Sequence, residues 1–248
     1  MLFSRFLAFN KPLGKLIRQP LRVIPPNTTL RVLRGPLRGA RWIAGSSTHG
    51  CWLGSYEQSF QSLFLSLIPD GGVVWDIGAN VGFYSLLAAR KAAKVLAFEP
   101  LPENLTFLHR HVELNSLQQR IEVFPIAASD NDGQSMFRIV PGNRSEGSLR
   151  PDGTLPVRTI RLDNIGIVPD LIKIDVEGNE YAVLSGARQT LTAHHPSVLV
   201  ALHTGDSKCR ELLIELGYEV TETATGELFA SIPALHGRAR LSHDSVSA

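Results

Sequence analysis

Cysteine is nearly absent. The 248 residues contain two, Cys51 and Cys209, far apart and in no Cys-x-x-Cys or Cys/His cluster. That excludes a disulfide scaffold and a cysteine-held metal centre. Long apolar runs are missing too, and none approaches the roughly 20 residues of a membrane-spanning helix. Aromatic residues make up 7% of the chain and form no row that would mark a sugar-stacking platform. Acid is missing from the first 56 residues, where nine bases stand unopposed: Arg5, Lys11, Lys15, Arg18, Arg22, Arg31, Arg34, Arg38 and Arg41. The first carboxylate is Glu57, and beyond residue 56 sixteen bases face 23 acids, so a +9 leader precedes a −7 remainder. The total of +2 argues against a dedicated nucleic-acid binder. The apolar group Phe6–Phe9 is too short for a signal peptide, so the expected location is cytoplasmic. Pro12, Pro20, Pro25 and Pro26 prevent one long amphipathic helix. A peripheral contact of the leader with an anionic membrane surface remains an expectation.

What is present is a 44% apolar chain with a regular pattern from Tyr56 onward. Residues 1–55 read as a Pro/Gly/Arg-rich extension with a short hairpin around Leu30–Ile43, residues 56–233 as one domain, and residues 234–248 as a polar, frayed tail. In the domain, strands are expected at Val73–Ile77, Lys94–Phe98, Ile121–Ala127, Gln134–Val140, Leu155–Leu162, Leu171–Val176, Val198–His203, Tyr218–Thr223 and Glu227–Ile232. Helices are expected at 56–68, Phe83–Lys91, 102–117, Glu180–Leu191 and Lys208–Leu216, with a polar loop over Gly142–Asp152. Alternating strands and helices predict an α/β fold, a mostly parallel sheet covered on both faces.

In such a sheet, ligands bind at the carboxyl ends of the strands. The first of these strands ends in Asp76-Ile77-Gly78-Ala79-Asn80-Val81-Gly82. A dinucleotide site would show G-x-G-x-x-G. Here the spacing is G-x-x-x-G, with an acid two residues before the first glycine. A carboxylate there repels pyrophosphate and suits an ammonium group, as S-adenosylmethionine carries. Glu99 ends the next strand, where a carboxylate can accept hydrogen bonds from ribose hydroxyls.

Three blocks, VVWDIGANVGFYSLLAA (73–89), FEPLPENLTFLHRHVELN (98–115) and PDLIKIDVEGNEYAVLSGA (169–187), resemble the FkbM family of S-adenosylmethionine-dependent methyltransferases, over about 56–232. The resemblance implies a Rossmann-like class I methyltransferase core of seven strands and methyl transfer to a hydroxyl of a sugar, glycolipid, polyketide or similar small molecule. It places Asp76, Gly78, Asn80 and Gly82 in the cofactor turn and Glu99 on the ribose. It also sets Ser129 and Asp130 beside adenine, and Tyr56-Glu57 at the closure of the cofactor pocket. One position departs from the family: Ala201 stands where an acid usually precedes His203 by two residues.

Methyl transfer requires that an acceptor oxygen be aligned and its proton removed. Lys173, Asp175 and Glu177 alternate along one strand and so share a side. Asp175 is the first candidate for orienting the acceptor or taking its proton, with Glu177 beside it and His203 as the alternative base. A structural network, with Lys173 paired to Asp175 or Glu177 and Glu177 capping the helix after Gly178, competes with this reading. The carboxylates Asp175, Glu177 and Asp130 leave a Mg²⁺ ion open, but their spacing defines no octahedral site and no metal is expected. His109, His111, His194 and His195 are read as surface residues. Two other functions stay open: an RNA methyltransferase tethered by the basic leader, and a non-catalytic cofactor-binding module, suggested by Ala201.

Overall fold

The structure, a computed structural model, describes residues 23–140, 142–203, 207–223 and 226–232. Residues 1–22 of the basic leader and the whole tail 234–248 lie outside these residues. The chain separates into two compact units, 1–56 and 57–248. In the first, β1 (Thr29–Arg31) pairs antiparallel with β2 (Arg41–Ile43), the short hairpin expected there. A helical turn, α1 (His49–Leu53), follows, and Leu33 donates its N–H to the Trp52 carbonyl at 2.9 Å.

The second unit begins with helix α2 (Gln58–Leu67) and then β3 (Val73–Ile77), helix α3 (Phe83–Ala88), β4 (Lys94–Phe98), helix α4 (Pro102–Leu114) and β5 (Ile121–Phe124). Four strands come next: β6 (Ala127–Ala128), β7 (Gly133–Val140), β8 (Asn143–Leu149) and β9 (Leu155–Ile160). The chain continues through β10 (Leu171–Ile174), helices α5 (Glu180–Ser185) and α6 (Arg188–His194), β11 (Ser197–Val200), helix α7 (Ser207–Glu215), β12 (Glu219–Glu222) and β13 (Leu228–Ser231).

Seven strands form the main sheet in the order β12-β13-β11-β10-β3-β4-β5. The five from β11 to β5 are mutually parallel, and β13 is antiparallel to both its neighbours. All four residues of β10, and Val74 to Ile77 of β3, are buried. Successive side chains point to opposite faces, so unbroken burial means that both faces are covered. The chain runs outward from β3 to β4 and β5, then returns to β10 on the other side of β3. The carboxyl ends of β3 and β10 therefore meet at the switch point of the sheet, where a crevice forms.

The structure corrects several expected boundaries. The strand expected over 121–127 is interrupted at Pro125, which has no N–H to give a ladder; β5 stays in the main sheet and β6 joins a separate sheet ordered β6-β9-β7-β8. The loop expected over 142–152 contains β8, paired antiparallel with β7. β8 is an edge strand, where polar residues are tolerated. The helix expected over 180–191 divides into α5 and α6 at Gly186-Ala187. A Cβ on Gly186 would lie 1.9 Å from the Ser129 carbonyl oxygen, so the break admits a close backbone approach. His111 is fully buried rather than on the surface; it shares a stripe of α4 with Asn104, Leu108 and Val112. Its Nδ1 donates to the Val81 carbonyl at 2.8 Å, and burial lowers its pKa to about 4, so it is neutral.

Gly71 and Gly78 have nearly the same backbone angle (φ +73° and +79°), but a Cβ on Gly71 meets nothing within 4 Å, whereas one on Gly78 would lie 1.9 Å from the Asp175 carbonyl oxygen. Gly71→Ala is expected to cost about 1 kcal/mol of backbone strain. Gly78→Ala adds overpacking and should cost about 3 kcal/mol or more. Denaturant midpoints of the two variants measure the difference.

Candidate active site

The glycine turn uses its own amides. Gly78 and Ala79 both donate to the Phe98 carbonyl (3.0 and 2.9 Å), Gly82 donates to Ala79 (2.8 Å), and Asn80 donates to Glu99 Oε2 (2.9 Å). Gly78, Asn80 and Gly82 all have positive φ, which lets the chain fold back on β4. A phosphate needs free N–H groups at such a turn. Four of the five turn amides are already satisfied, so the loop has little to offer a phosphate.

Glu99 is 5% exposed and also accepts from Leu101 N–H (2.8 Å) and, at 3.4 Å, from Asn104 Nδ2. Burial pushes its pKa up to about 7, against the lowering effect of these three donors. A carboxylate offers about four acceptor positions. Three are occupied, which leaves Oε2 a position for a hydroxyl donor.

Asp76 lies on β3 with no exposed surface. Its Oδ2 accepts from Ser85 Oγ at 2.6 Å, and its Oδ1 lies 3.5 Å from Lys173 Nζ on the neighbouring β10. Lys173 also reaches Asp175 Oδ2 at 3.3 Å, and its ammonium sits 4.9 Å from the ring centroid of Tyr84. The Tyr84 hydroxyl donates in turn to Glu57 Oε2. Burial pulls the Lys173 pKa down, but the charges of Asp175, Asp76 and Glu57 outweigh it and the net shift is upward. Lys173 therefore stays charged: one buried cation links three carboxylates. The expected pairing of Lys173 with Asp175 is present, and Asp76 is its second partner.

Beyond Asp175 the chain turns through Glu177 (φ +57°) and Gly178 (φ +104°). This brings Glu177 Oε1 to 3.4 Å from His203 Nε2, which lies 3.6 Å from Asp175 Oδ1. On the other side of the ring, His203 Nδ1 is 3.1 Å from Glu180 Oε1. Glu180 also accepts Gly178 N–H at 2.9 Å and is 3% exposed. The Glu180 hydrogen bond, against some desolvation and with the charges of Asp175, Glu177 and Glu180, raises the His203 pKa to about 9. His203 thus holds its proton at neutral pH, which counts against the expected role as a base in the free protein. Burial raises the Glu177 pKa, and the charge of His203 only partly offsets it. Glu177 does not cap α5 as one reading had it; Glu180 takes the Gly178 amide instead.

A cavity of about 210 Å³ opens here, bordered by Glu57, Lys173, Asp175 and His203. Of the expected residues, Glu57, Asp175 and His203 wall it, Glu177 joins through His203, and Asp76 joins through Lys173. Gly78 contacts the tip of β10, and Asn80 ties Glu99 to the turn. Ser129 and Asp130 pair with each other at 3.3 Å at the end of β6 and do not wall the cavity. Sequence reasoning missed three residues. Ser85 lies three positions after Gly82, in the first turn of α3, a spacing that could have shown it facing β3. Tyr84 and Glu180 carried no such signal, because Glu57 and His203, which they engage at the site, are distant in sequence.

The strand order, the glycine turn and the carboxylates at neighbouring strand tips define the Rossmann-like methyltransferase class. Comparison with known proteins agrees: the Methyltransferase FkbM domain matches residues 76–223. The hexuronic acid methyltransferase AglP of Haloferax volcanii is 31% identical over 185 residues, 70% of this chain and 75% of that protein. The 2-O-methyltransferase NoeI of Sinorhizobium fredii is 32% identical over 146 residues, 48% of this chain and 59% of that protein. A crystal structure of Methyltransferase FkbM from Methylobacillus flagellatus KT shares the fold (TM-score 0.50, 21% identity), covering 66% of this chain and 44% of that one. The chain belongs to the FkbM methyltransferase family. Among the described residues, no helix is long and apolar enough to cross a membrane.

Removing one partner of a buried ion pair strands the other charge. Lys173→Met is therefore expected to destabilise the protein by about 3–5 kcal/mol, read from denaturant unfolding. A raised histidine pKa contributes stability that is complete below the unfolded value of 6.5 and is lost as pH rises through about 9. In EDTA, the His203 ring protons should titrate by NMR well above 6.5, and Glu180→Gln should lower the midpoint.

Proposed function

We propose that the protein is an S-adenosylmethionine-dependent O-methyltransferase acting on a hydroxyl of a glycan or similar small molecule. The observation that carries the reading is the set of carboxylates at three neighbouring parallel strand tips, Asp76 on β3, Glu99 just after β4 and Asp175 just after β10, around a turn that has committed four of its five amides. The donor set fits the methyl donor. Acids outnumber the single buried cation Lys173, which suits an ammonium and a sulfonium, and Glu99 keeps an acceptor position for a ribose hydroxyl. When bound, the cofactor supplies an electrophilic methyl group.

The protein's own residues must then bind the adenosyl half, hold the acceptor and take up one proton. Glu99 and the turn Gly78–Gly82 would serve the first task. Ser129 and Asp130 would meet adenine at the end of β6, and Glu57, held by the Tyr84 hydroxyl, would close the pocket. Lys173 fixes one oxygen of Asp175, which leaves Oδ1 facing His203 and the cavity. An alcohol oxygen becomes strongly acidic as it gains a methyl group, so a carboxylate is a sufficient proton acceptor. Asp175 or Glu177 fills that role, and protonated His203 can donate a hydrogen bond to the acceptor. Two relatives support the acceptor class through their names, one for a hexuronic acid and one for a 2-O position.

Calorimetry with S-adenosylhomocysteine tests the cofactor. Binding by the wild type is expected to tighten as pH rises through about 7, because the Glu99 carboxylate accepts hydroxyl donors better than the neutral acid. Glu99→Gln should weaken it about 10- to 100-fold. A wild type that binds no S-adenosylhomocysteine ends the proposal. With a sugar acceptor and labelled cofactor, Asp175→Asn should lower kcat by about 10²-fold or more.

A further inference from the structure

Three side chains from separate turns converge on one point. Asp175 follows β10, Glu177 is turned back by its positive φ, and His203 follows β11. Asp175, Glu177 and His203 each bring one ligand atom into a group whose members all lie within 4.8 Å of one another. Neighbouring ligands of an octahedral cation with bonds near 2.1 Å stand ~3 Å apart, and opposite ones ~4.2 Å. The observed 3.4 Å (His203 Nε2 to Glu177) and 3.6 Å (His203 Nε2 to Asp175) need only a closure of about half an ångström.

A second observation, outside the trio, points to the same use. A metal-bound histidine almost always gives its other ring nitrogen to a carboxylate, which fixes the tautomer and aims the ring. Glu180 is buried, takes no part in the trio, and lies 3.1 Å from His203 Nδ1, so Nε2 points at the two carboxylates. Lys173 engages Asp175 through Oδ2 alone, and Oδ1 is the oxygen turned toward His203. The cavity wall includes Asp175 and His203, so water and an acceptor hydroxyl have access to the same point.

We propose that Asp175, Glu177 and His203 form a binding site for one divalent cation of the Mg²⁺/Mn²⁺ class, with Glu180 as the residue that positions His203. Two carboxylates and one imidazole suit a hard, six-coordinate ion and leave up to three positions for water or an acceptor oxygen. A cation there would displace the His203 proton that the free protein holds, and would itself hold the acceptor hydroxyl and lower its pKa. The role in catalysis rests on the methyltransferase reading; the binding site does not.

The test uses the full chain, stripped with EDTA and titrated with Mn²⁺, the free ion being counted by electron paramagnetic resonance. One equivalent is expected to bind, with Mg²⁺ competing for the same site. Glu177→Gln and His203→Ala should each weaken binding at least tenfold, and Glu180→Gln about 10- to 100-fold. Circular dichroism and S-adenosylhomocysteine binding report whether each variant is folded. No Mn²⁺ binding by the wild type up to ~1 mM, or binding unchanged in folded Glu177→Gln and His203→Ala, overturns the site. Mn²⁺ binding without S-adenosylhomocysteine binding keeps the cation site and rejects the methyl-donor reading, so the two failures are separable.

Discussion

The buried contact between Asp76 and Lys173 is the constraint on which the site depends. Two charged side chains lie at the centre of a parallel sheet, where neither could be alone without a desolvation cost of several kcal/mol. Together they join β3 to β10 across the switch point. Each also has a second obligation: Asp76 accepts from Ser85 at the start of α3, and Lys173 holds Asp175 at the mouth of the cavity. The ion pair thus transmits the position of the sheet interior to a residue that borders the cavity. A hydrophobic pair of similar volume would pack as well, yet it would leave Asp175 without its anchor.

Around this pair the backbone is as constrained as the side chains. Gly78 touches the Asp175 carbonyl, so the glycine turn and the tip of β10 cannot move independently. Gly186 does the same between α5 and the end of β6, which places the second sheet against the helix that carries Glu180. His111, neutral and buried, ties α4 to the middle of the turn through Val81. Small residues and one neutral imidazole therefore hold the acids where their mutual repulsion would otherwise spread them.

Much of this was legible before any coordinates. Largely apolar strands such as Val73–Ile77 and Leu171–Ile174, each with a single charged residue, need no partner to be recognised, and their alternation with helices implies the parallel sheet. The glycine turn and Glu99 follow from spacing at strand ends. The rest was hidden for definite reasons. Pro125 moved the end of one strand into another sheet, and β8 paired in spite of a polar sequence because it lies on an edge. The partnership of His203 with Glu180, and of Tyr84 with Glu57, spans 23 and 27 residues, and no periodicity relates them. The same gap explains why His203 looked like a base of ordinary strength: its pKa is set by three carboxylates that only the folded chain assembles.

The committed amides of the glycine turn, four of five, have a consequence for competition with other adenosine compounds. Adenine nucleotides share their adenosine half with the methyl donor and crowd the same compartments. A loop that offered open N–H groups would retain them by their phosphates. This loop has committed its donors to Phe98, Ala79 and Glu99, and a triphosphate arriving there would meet carboxylates with few donors to offset them. Discrimination against phosphate-bearing look-alikes would then lie in the backbone hydrogen bonding of one turn.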